Sequence, residues 1–252
     1  MDFKQIEGNF ELNTHVGIIL PTYCEAQNIE KLIHEIESLN LDTSILVIDD
    51  SSIDGTAEIV RNLQKKYDNI LLFTRPKKLG LGTAITDGFK IFMSLPNPPK
   101  YIITMDADYS HSPKDIPRLI SNLRQGHSLV IGSRYCKGGC ILNWSAMRLV
   151  ISKIANFIAS LIIGEKINDY TSGLRCYSLS LIRSIIGELH SQTYEIQIET
   201  IRQARIRNFK IKELPITFAN RKKGKSKLSF NEVKQFVSYI IFKAILKFDV
   251  NL

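Results

Sequence analysis

The chain has 252 residues, of which 44% are hydrophobic and 23% charged, and its formal net charge is +8. These values are ordinary for a soluble globular protein, and the length suffices for one full core with or without an appendage. Residues 1–15 contain no apolar run after their charges, so we expect no signal peptide. The four cysteines lack the paired spacing of a zinc site, which favours free thiols in a reducing cytosol.

Short apolar runs typical of buried strands recur at intervals of roughly 25 to 30 residues, with helix patterns between them. The runs occupy residues 16–20, 45–48, 70–73, 101–105 and 129–134. Nearly continuous apolar strands that alternate with helices are typical of a parallel sheet covered on both faces. We therefore predict an α/β fold with a mainly parallel central sheet, whose ligands bind beyond the carboxyl ends of the strands.

The residues that packing explains least follow these strand ends. They are PTYCE at 21–25, DDSSIDGT at 49–56, DADYSHS at 106–112 and GSRY at 132–135. Asp106 and Asp108 can turn toward one point if the backbone bends after the strand, and Mg²⁺ and Mn²⁺ prefer such carboxylates. The alternative is an acidic loop with a helix N-cap, because short motifs often match by chance.

Two further stretches allow a structural and a functional interpretation. Residues 80–84, GLGTA, predict a tight turn at a helix N-terminus, with phosphate binding as the secondary interpretation. Residues 144–163 are apolar except for a stripe of polar side chains spaced by four, at Arg148, Ser152, Asn156 and Ser160. That helix is too polar near its middle to span a membrane. It is either a core helix with its stripe in water or a helix that presents the stripe to a ligand.

Six pieces of the chain together carry a resemblance to a known family. They are PTYCEAQN, VIDDSSIDGT, GLGTA, MDADYSHSP, IGSRY and DYTSGLRCYS. In this order and spacing they resemble the inverting family-two glycosyltransferases, and most closely the dolichyl- or polyprenyl-phosphate mannose synthases. The resemblance covers roughly residues 15–228 and depends on the set rather than on any one motif. It implies an A-type glycosyltransferase fold, a nucleotide-sugar donor, a divalent metal and a lipid-phosphate acceptor.

The resemblance also implies roles for individual residues. The catalytic residues are Asp106, Asp108 and Arg134. Donor-binding residues are Pro21, Tyr23, Glu25, Ile48, Asp50, Asp106, Ala107, Arg221 and Lys227. The acceptor phosphate is expected at Arg134, Arg148 and Ser152, and the metal, Mg²⁺ or Mn²⁺, at Asp106, Asp108 and Ser110. Two positions depart from the family pattern, because Ser110 stands where glutamine is common and Cys24 where asparagine is usual.

The positive charge is concentrated toward the C-terminus. Residues 202–227 contain ten Lys or Arg against the single acid Glu213. The segment lacks the aromatic platform or helix-turn-helix pattern of nucleic-acid-binding proteins, so we expect no nucleic-acid partner. We predict a catalytic domain at 1–228 and, at 229–252, an amphipathic helix that faces a membrane or a protein partner. The apolar run in that last stretch is too short to cross a bilayer.

We therefore predict a metal-dependent, inverting transfer of a hexose, with GDP-mannose as donor, to a polyprenyl or dolichyl monophosphate. The expected location is peripheral, on the cytoplasmic face of a membrane, reached directly through amphipathic membrane-facing helices or through a membrane-anchoring subunit. One alternative is an enzyme that uses a UDP-sugar, with a polyprenyl phosphate or a glycan as acceptor. Another is a catalytically silent protein that binds a sugar nucleotide or a lipid.

Overall fold

The computed structural model describes residues 6–220. The strands are Ile6–Glu7 (β1), Val16–Thr22 (β2), Thr43–Asp49 (β3), Ile70–Thr74 (β4), Tyr101–Thr104 (β5), Leu129–Ser133 (β6), Cys140–Leu142 (β7), Arg175–Ser178 (β8), Ile211–Pro215 (β9) and Thr217–Ala219 (β10). The helices are Ile29–Glu37 (α1), Thr56–Gln64 (α2), Leu81–Ser94 (α3), Ile116–Arg124 (α4), Ala146–Ile163 (α5), Leu179–Ile185 (α6) and Ile196–Ile206 (α7). The sequence prediction of strands alternating with helices is confirmed over this range.

Eight of these strands form one sheet in the order β1-β4-β3-β2-β5-β8-β6-β9. Strands β4, β3, β2 and β5 are parallel to one another, β6 is parallel to β9, and β8 runs antiparallel between β5 and β6. The sheet is therefore mainly parallel, as predicted. Its register places Thr22 beside Asp49 and Asp49 beside Thr74, so the loops that leave β2, β3 and β4 meet at one edge.

Alternate residues of each strand pack into two separate cores, one on each face of the sheet. In β2, Ile18 and Leu20 contact the core formed with α1, α2 and α4, whereas Ile19 contacts the core formed with α3, α6 and α7. This period of two explains why the strands are apolar throughout, since both of their faces are covered.

The loop that contains Gln192 crosses the N-terminus of α3, and its contacts distinguish between the two interpretations of GLGTA at residues 80–84. The backbone N–H groups of Gly82 and Thr83 donate to the carbonyl oxygen of Gln192. A Cβ atom at Gly80 would lie 2.4 Å from that oxygen, and one at Gly82 would lie 2.4 Å from the carbonyl oxygen of Ser191. The glycines therefore permit close packing of two chain segments, and the structural interpretation is confirmed.

The same loop is held by a carboxylate of α7. Glu199 on this helix is buried. Its Oε2 accepts the backbone N–H groups of His190 and Ser191 at 3.1 and 3.0 Å. Burial of this carboxylate is offset by those bonds, and it anchors the loop over α3.

Helix α5 presents its apolar side outward. Its polar stripe faces the body of the protein, where the Asn156 Oδ1 accepts the N–H of Tyr170 at 2.6 Å and the Tyr135 hydroxyl donates to Ser152 Oγ at 2.8 Å. The exposed apolar residues of the helix are Met147, Val150, Ile151, Ile154, Phe157, Ile158 and Leu161. The interpretation as a core helix with its stripe in water is therefore wrong.

Length and composition would also allow α5 to cross a membrane, and within residues 6–220 it is the one helix of that kind. Only 17% of the helix is buried, although soluble proteins contain core helices that meet the same criterion. The predicted C-terminal helix at 229–252, and the donor-binding candidates Arg221 and Lys227, lie outside the described residues.

Candidate active site

The acidic motif lies where β5 ends at Thr104, at the edge of the sheet that also carries the loops after β2 and β3. The backbone bends sharply here, since Tyr109 has φ +64°. Asp108 is buried, and its Oδ1 accepts the backbone N–H of Ser110 at 3.0 Å. The Asp106 side chain is 35% exposed, and the buried His111 Nε2 donates to its Oδ2 at 3.2 Å. The expected bend after the strand is therefore present.

These residues fit a divalent cation of the magnesium type. Within residues 6–220 no group of three or more His, Cys, Asp or Glu could hold a metal. The Ser110 hydroxyl is buried beside Asp108 and has no hydrogen-bond partner among the described residues, so it is an oxygen ligand that the fold leaves unused. Two carboxylates and one hydroxyl suit Mg²⁺ or Mn²⁺, which keep water or phosphate oxygens as their other ligands.

Several candidate donor-binding residues at the ends of β2 and β3 are buried or form hydrogen bonds with other side chains of the protein. Glu25 is buried and accepts the side-chain N–H of Asn28 at 2.8 Å. Asp50 is buried too, and its Oδ1 accepts from the buried Arg75 Nε at 2.5 Å. Ile48 has no exposed surface, so its expected contact with a nucleotide would require local rearrangement.

Other donor candidates are more accessible. Pro21 and Tyr23 are half-buried at the end of β2, and the Lys78 ammonium lies 5.3 Å from the centre of the Tyr23 ring. Cys24, the departure from the family pattern, adopts φ +55°, a conformation that asparagine tolerates better than most residues. Ala107 is buried between the two aspartates. Tyr23 and Lys78 thus form an accessible aromatic and cationic surface beside the end of β2.

Arg134 follows β6 and is held by a buried ion pair. Its Nε and Nη2 donate to the two carboxylate oxygens of Asp169, both at 2.7 Å, and Nη2 also donates to Thr171 Oγ1 at 2.5 Å. Burial alone would raise the pKa of Asp169, but the charge and hydrogen bonds of Arg134 outweigh burial and lower that pKa below its ordinary value. Asp169 therefore orients the guanidinium of Arg134.

The other acceptor candidates lie on α5 close to Arg134. Arg148 Nη1 donates to Asn220 Oδ1 at 3.2 Å, and its guanidinium lies 3.9 Å from the centre of the Trp144 ring. The Ser152 hydroxyl accepts a hydrogen bond from Tyr135, and the centre of the Tyr135 ring lies 5.4 Å from the Arg134 guanidinium. Arg134 and Tyr135 border one cleft of about 400 Å³ together with Asn156 and Ser160 of the polar stripe, whereas Arg148 and Ser152 do not line that cleft. The structure therefore brings the three predicted acceptor residues into one neighbourhood.

The turn at 169–173 joins the acidic motif to the cationic group. Asp169 and Thr171 hold Arg134, while a Cβ atom at Gly173 would lie only 2.8 Å from Asp106 Oδ1. Gly173 is therefore needed so that the turn can approach the carboxylate. The candidate metal ligand Asp106 and the candidate phosphate-binding cation Arg134 thus lie on either side of one turn.

Sequence reasoning missed several residues that build this site. Trp144 and Phe218 flank the guanidinium of Arg134 at 5.5 and 5.3 Å, and His111 orients Asp106. Trp144 lies four residues before Arg148, a spacing that could have suggested a contact within one helical turn. Phe218 lies 84 positions beyond Arg134, so no local pattern could have found it.

Fold and site together define an α/β protein whose candidate metal-binding carboxylates lie at the carboxyl edge of its parallel strands. The model of the Glycosyl transferase family 2 matches residues 17–186, which is more than half of the chain. The chain therefore belongs to glycosyl transferase family 2, and it is a glycosyltransferase.

Two curated relatives make the comparison more specific. The chain is 35% identical over 220 residues to the polyprenol monophosphomannose synthase of Mycolicibacterium smegmatis, covering 86% of this chain and 82% of that protein. It is 33% identical over 229 residues to the dolichol-phosphate mannosyltransferase of Pyrococcus furiosus, covering 89% of this chain and 62% of that longer protein. The resemblance to mannose synthases noted from the motifs is confirmed.

Solved structures confirm the fold. Glucosyl-3-phosphoglycerate synthase from Mycobacterium tuberculosis, in complex with Mn²⁺, UDP-glucose and phosphoglyceric acid, superposes with a TM-score of 0.64 over 93% of this chain and 81% of that one. Its complex with Mn²⁺, UDP and glucosyl-3-phosphoglycerate superposes with a TM-score of 0.63 over 93% of this chain and 80% of that chain. Both are 17% identical to this chain, so they support the A-type glycosyltransferase fold alone.

Proposed function

We propose that this protein transfers mannose from GDP-mannose to a polyprenyl or dolichyl monophosphate, with inversion at the anomeric carbon and with Mg²⁺ or Mn²⁺. The observation that carries the proposal is the placement of Arg134 and Arg148 across one turn from Asp106 and Asp108. The names of the two curated relatives support the same sugar and the same class of acceptor.

The chemistry fits this arrangement of charges. An acceptor phosphate is already an anion at neutral pH, so its oxygen can attack the anomeric carbon without a strong base. As the new bond forms, the bond from that carbon to the nucleoside diphosphate breaks, and its electron pair leaves with the diphosphate. The donor diphosphate and the acceptor phosphate are both anions and repel each other. Arg134 and Arg148 offset this repulsion and hold the acceptor phosphate near the donor. A cation bound at Asp106, Asp108 and Ser110 would stabilise the charge that develops on the leaving diphosphate.

The outward face of α5 supports a lipid acceptor. Seven large apolar side chains of this helix are exposed, and one of them, Phe157, also borders the Arg134 cleft. Such a face is expected to lie in the interfacial region of a bilayer, where burial of its side chains is favourable. The protein would then reach a lipid phosphate from the membrane surface, at the cytoplasmic face, directly or with an anchoring subunit.

An assay of the purified full chain tests the reaction. We expect GDP-mannose and farnesyl phosphate, with Mn²⁺ or Mg²⁺, to give farnesyl phosphate mannose and GDP, and EDTA to stop the reaction. UDP-glucose and UDP-N-acetylglucosamine are the competing donors, and farnesol is the control acceptor without phosphate. Turnover with a UDP-sugar alone would overturn the choice of donor. Stabilisation by GDP-mannose in thermal unfolding without any turnover would favour a silent binding protein.

Flotation with liposomes of phosphatidylcholine and phosphatidylglycerol tests the membrane surface. We expect the wild-type protein to float and the double variant Ile151→Asp/Phe157→Asp to float much less, because both residues are about 60% exposed on α5. The control is Ile53→Asp, at a residue that is 92% exposed in the loop after β3. Equal flotation of the α5 variant and the wild type would contradict docking through this face.

A further inference from the structure

Trp144 lies between the two guanidinium groups of the acceptor side. It is the single tryptophan of the chain. Its ring centre is 3.9 Å from the Arg148 guanidinium carbon and 5.5 Å from that of Arg134. Phe218 meets the indole edge-to-face, with ring centres 5.5 Å apart and an interplanar angle of 80°. One indole ring therefore lies within the range of a cation–π contact with both cations.

The two arginines are stabilised by different kinds of partner. Asp169 neutralises Arg134, so that pair brings little net charge to the site. An aromatic face attracts a guanidinium through its quadrupole and leaves the full positive charge in place. Trp144 thus fixes the direction of Arg148 and still allows Arg148 to act on an anion.

The orientation of the indole indicates more than packing. Its Nε1–H is buried and has no hydrogen-bond partner within residues 6–220. A buried donor without a partner is unfavourable, and an aliphatic side chain would fill the same space without that cost. Stacking against Arg148 explains why a tryptophan is used here. Ser145 follows as the N-cap of α5, and its side chain accepts the backbone N–H of Arg148, so Trp144 is directly joined to the capped first turn that carries Arg148.

We propose that Trp144 is a positioning residue for the acceptor phosphate, which it serves by holding Arg148 beside Arg134 without neutralising either cation. The proposal rests on the proposed function, because it assumes a phosphate acceptor. It predicts that removal of the aromatic face weakens acceptor use through Arg148, whereas donor use is unchanged.

Steady-state kinetics with GDP-mannose and farnesyl phosphate test this role in the full chain. For Trp144→Leu we expect the KM of farnesyl phosphate to rise about tenfold, and for Trp144→Phe, which keeps an aromatic face, about threefold. The KM of GDP-mannose should stay within about twofold of the wild-type value in both. Phe10→Leu, an aromatic-to-leucine change in the segment before β2, is the matched control and should alter neither constant.

A double-variant cycle separates positioning from packing. If Trp144 acts through Arg148, the Trp144→Leu change should have little further effect on the KM of farnesyl phosphate in an Arg148→Ala background. If the Trp144 side chain only fills space, the Trp144→Leu change should raise the KM of farnesyl phosphate by the same factor in the wild-type and Arg148→Ala backgrounds. That result would show that the proposal is wrong. The proposal also fails if the wild-type enzyme turns over farnesyl phosphate while Trp144→Leu keeps the wild-type KM; the proposed function would survive that result.

Fluorescence offers a direct measurement of the environment of Trp144, because all tryptophan emission of the chain comes from this residue. Without ligand, Arg148→Ala should change the emission intensity because the stacked cation is lost. Farnesyl phosphate should change the emission of the wild type with saturation, and farnesol should not. An emission unaffected by Arg148→Ala would contradict the stacking. Absence of any product with every donor and acceptor in the wild type would instead overturn the proposed function.

Discussion

The donor side and the acceptor side hold their charged groups in different ways. Around the acidic motif, two hydrogen bonds are local: Asp108 accepts the N–H of Ser110, two positions away, and His111 contacts Asp106, five positions away. On the acceptor side, Arg134 is bonded to Asp169, 35 positions away, and Arg148 to Asn220, 72 positions away. A strand end can build the first kind of site within one loop, whereas the second requires the finished fold.

The charged groups of the two sides also differ in their exposure and in how their charges are compensated. The carboxylate of Asp106 is 35% exposed and therefore accessible to a cation, whereas Arg134 and Asp169 are buried and compensate each other. We therefore expect changes on the donor side to act on turnover with the fold intact. Changes on the acceptor side should act on stability and on acceptor affinity. Four substitutions test this contrast.

Asp108→Ala should have the largest effect, a loss of at least about a thousandfold in kcat, because metal-dependent stabilisation of the leaving diphosphate disappears. The melting temperature should change little, since the residue lies in a loop after β5. Isothermal titration with Mn²⁺ and GDP should show that metal-dependent nucleotide binding is lost. Asp68→Ala, at an exposed position before β4, is the control. Turnover that persists in Asp108→Ala, with or without EDTA, would contradict the metal assignment.

Asp169→Asn should destabilise the protein by about 3 kcal/mol at pH 7, because it leaves Arg134 buried without its countercharge. The folded pKa of Asp169 is lowered by Arg134, although burial opposes this. Its contribution is therefore fully present above the unfolded pKa of about 3.9 and is lost as the pH falls through the folded pKa.

Urea unfolding at pH 7 and at pH 3 measures this contribution. The difference in unfolding free energy between wild type and Asp169→Asn should shrink at the lower pH. Asp115→Asn is the control, since its partner Arg118 is half exposed and the pair should contribute little. A constant difference at both pH values would mean that the carboxylate charge is not what stabilises the pair.

The same contrast explains how much the sequence could predict. Nearly continuous apolar strands and the acidic residues after them predicted the parallel sheet and the position of Asp106 and Asp108. The polar stripe of α5 was recognised, but its direction was not, because periodicity shows that two faces differ and does not show which one packs. The contacts of Trp144 with Phe218, and of Gly173 with Asp106, depend on chain segments that only the fold brings together.

Arg148→Ala should raise the KM of the lipid phosphate about thirtyfold, which corresponds to roughly 2 kcal/mol for a lost charge-assisted contact. Donor affinity should be unchanged, because the side chain lies on the acceptor side of the turn. Arg183→Ala, at an exposed position on α6, controls for the loss of one positive charge. If GDP-mannose binding weakened and acceptor KM held, the acceptor site would have to be placed elsewhere.

Gly173→Ala tests the boundary between the two sides, and we expect about a tenfold decrease in kcat. The new Cβ would lie 2.8 Å from Asp106 Oδ1, so either the turn or the carboxylate must move. The turn is firmly held: the Thr104 hydroxyl donates to the carbonyl of Gly173 at 2.9 Å, and Asp169 is locked to Arg134. Asp106 is the less constrained group, since its side chain is 35% exposed.

We therefore expect Asp106 to rotate away, so that Gly173→Ala behaves as a donor-side variant although the residue belongs to the acceptor-side turn. Mn²⁺-dependent GDP binding should weaken, while the KM of farnesyl phosphate and the melting temperature should hold. Gly187→Ala is the matched control, because an added Cβ there meets nothing within 4 Å. A raised acceptor KM with unchanged metal binding would show that the turn gives way first. The turn held by Arg134 and Asp169 would then move more easily than Asp106. The acceptor side, rather than the donor side, would be the less rigid of the two.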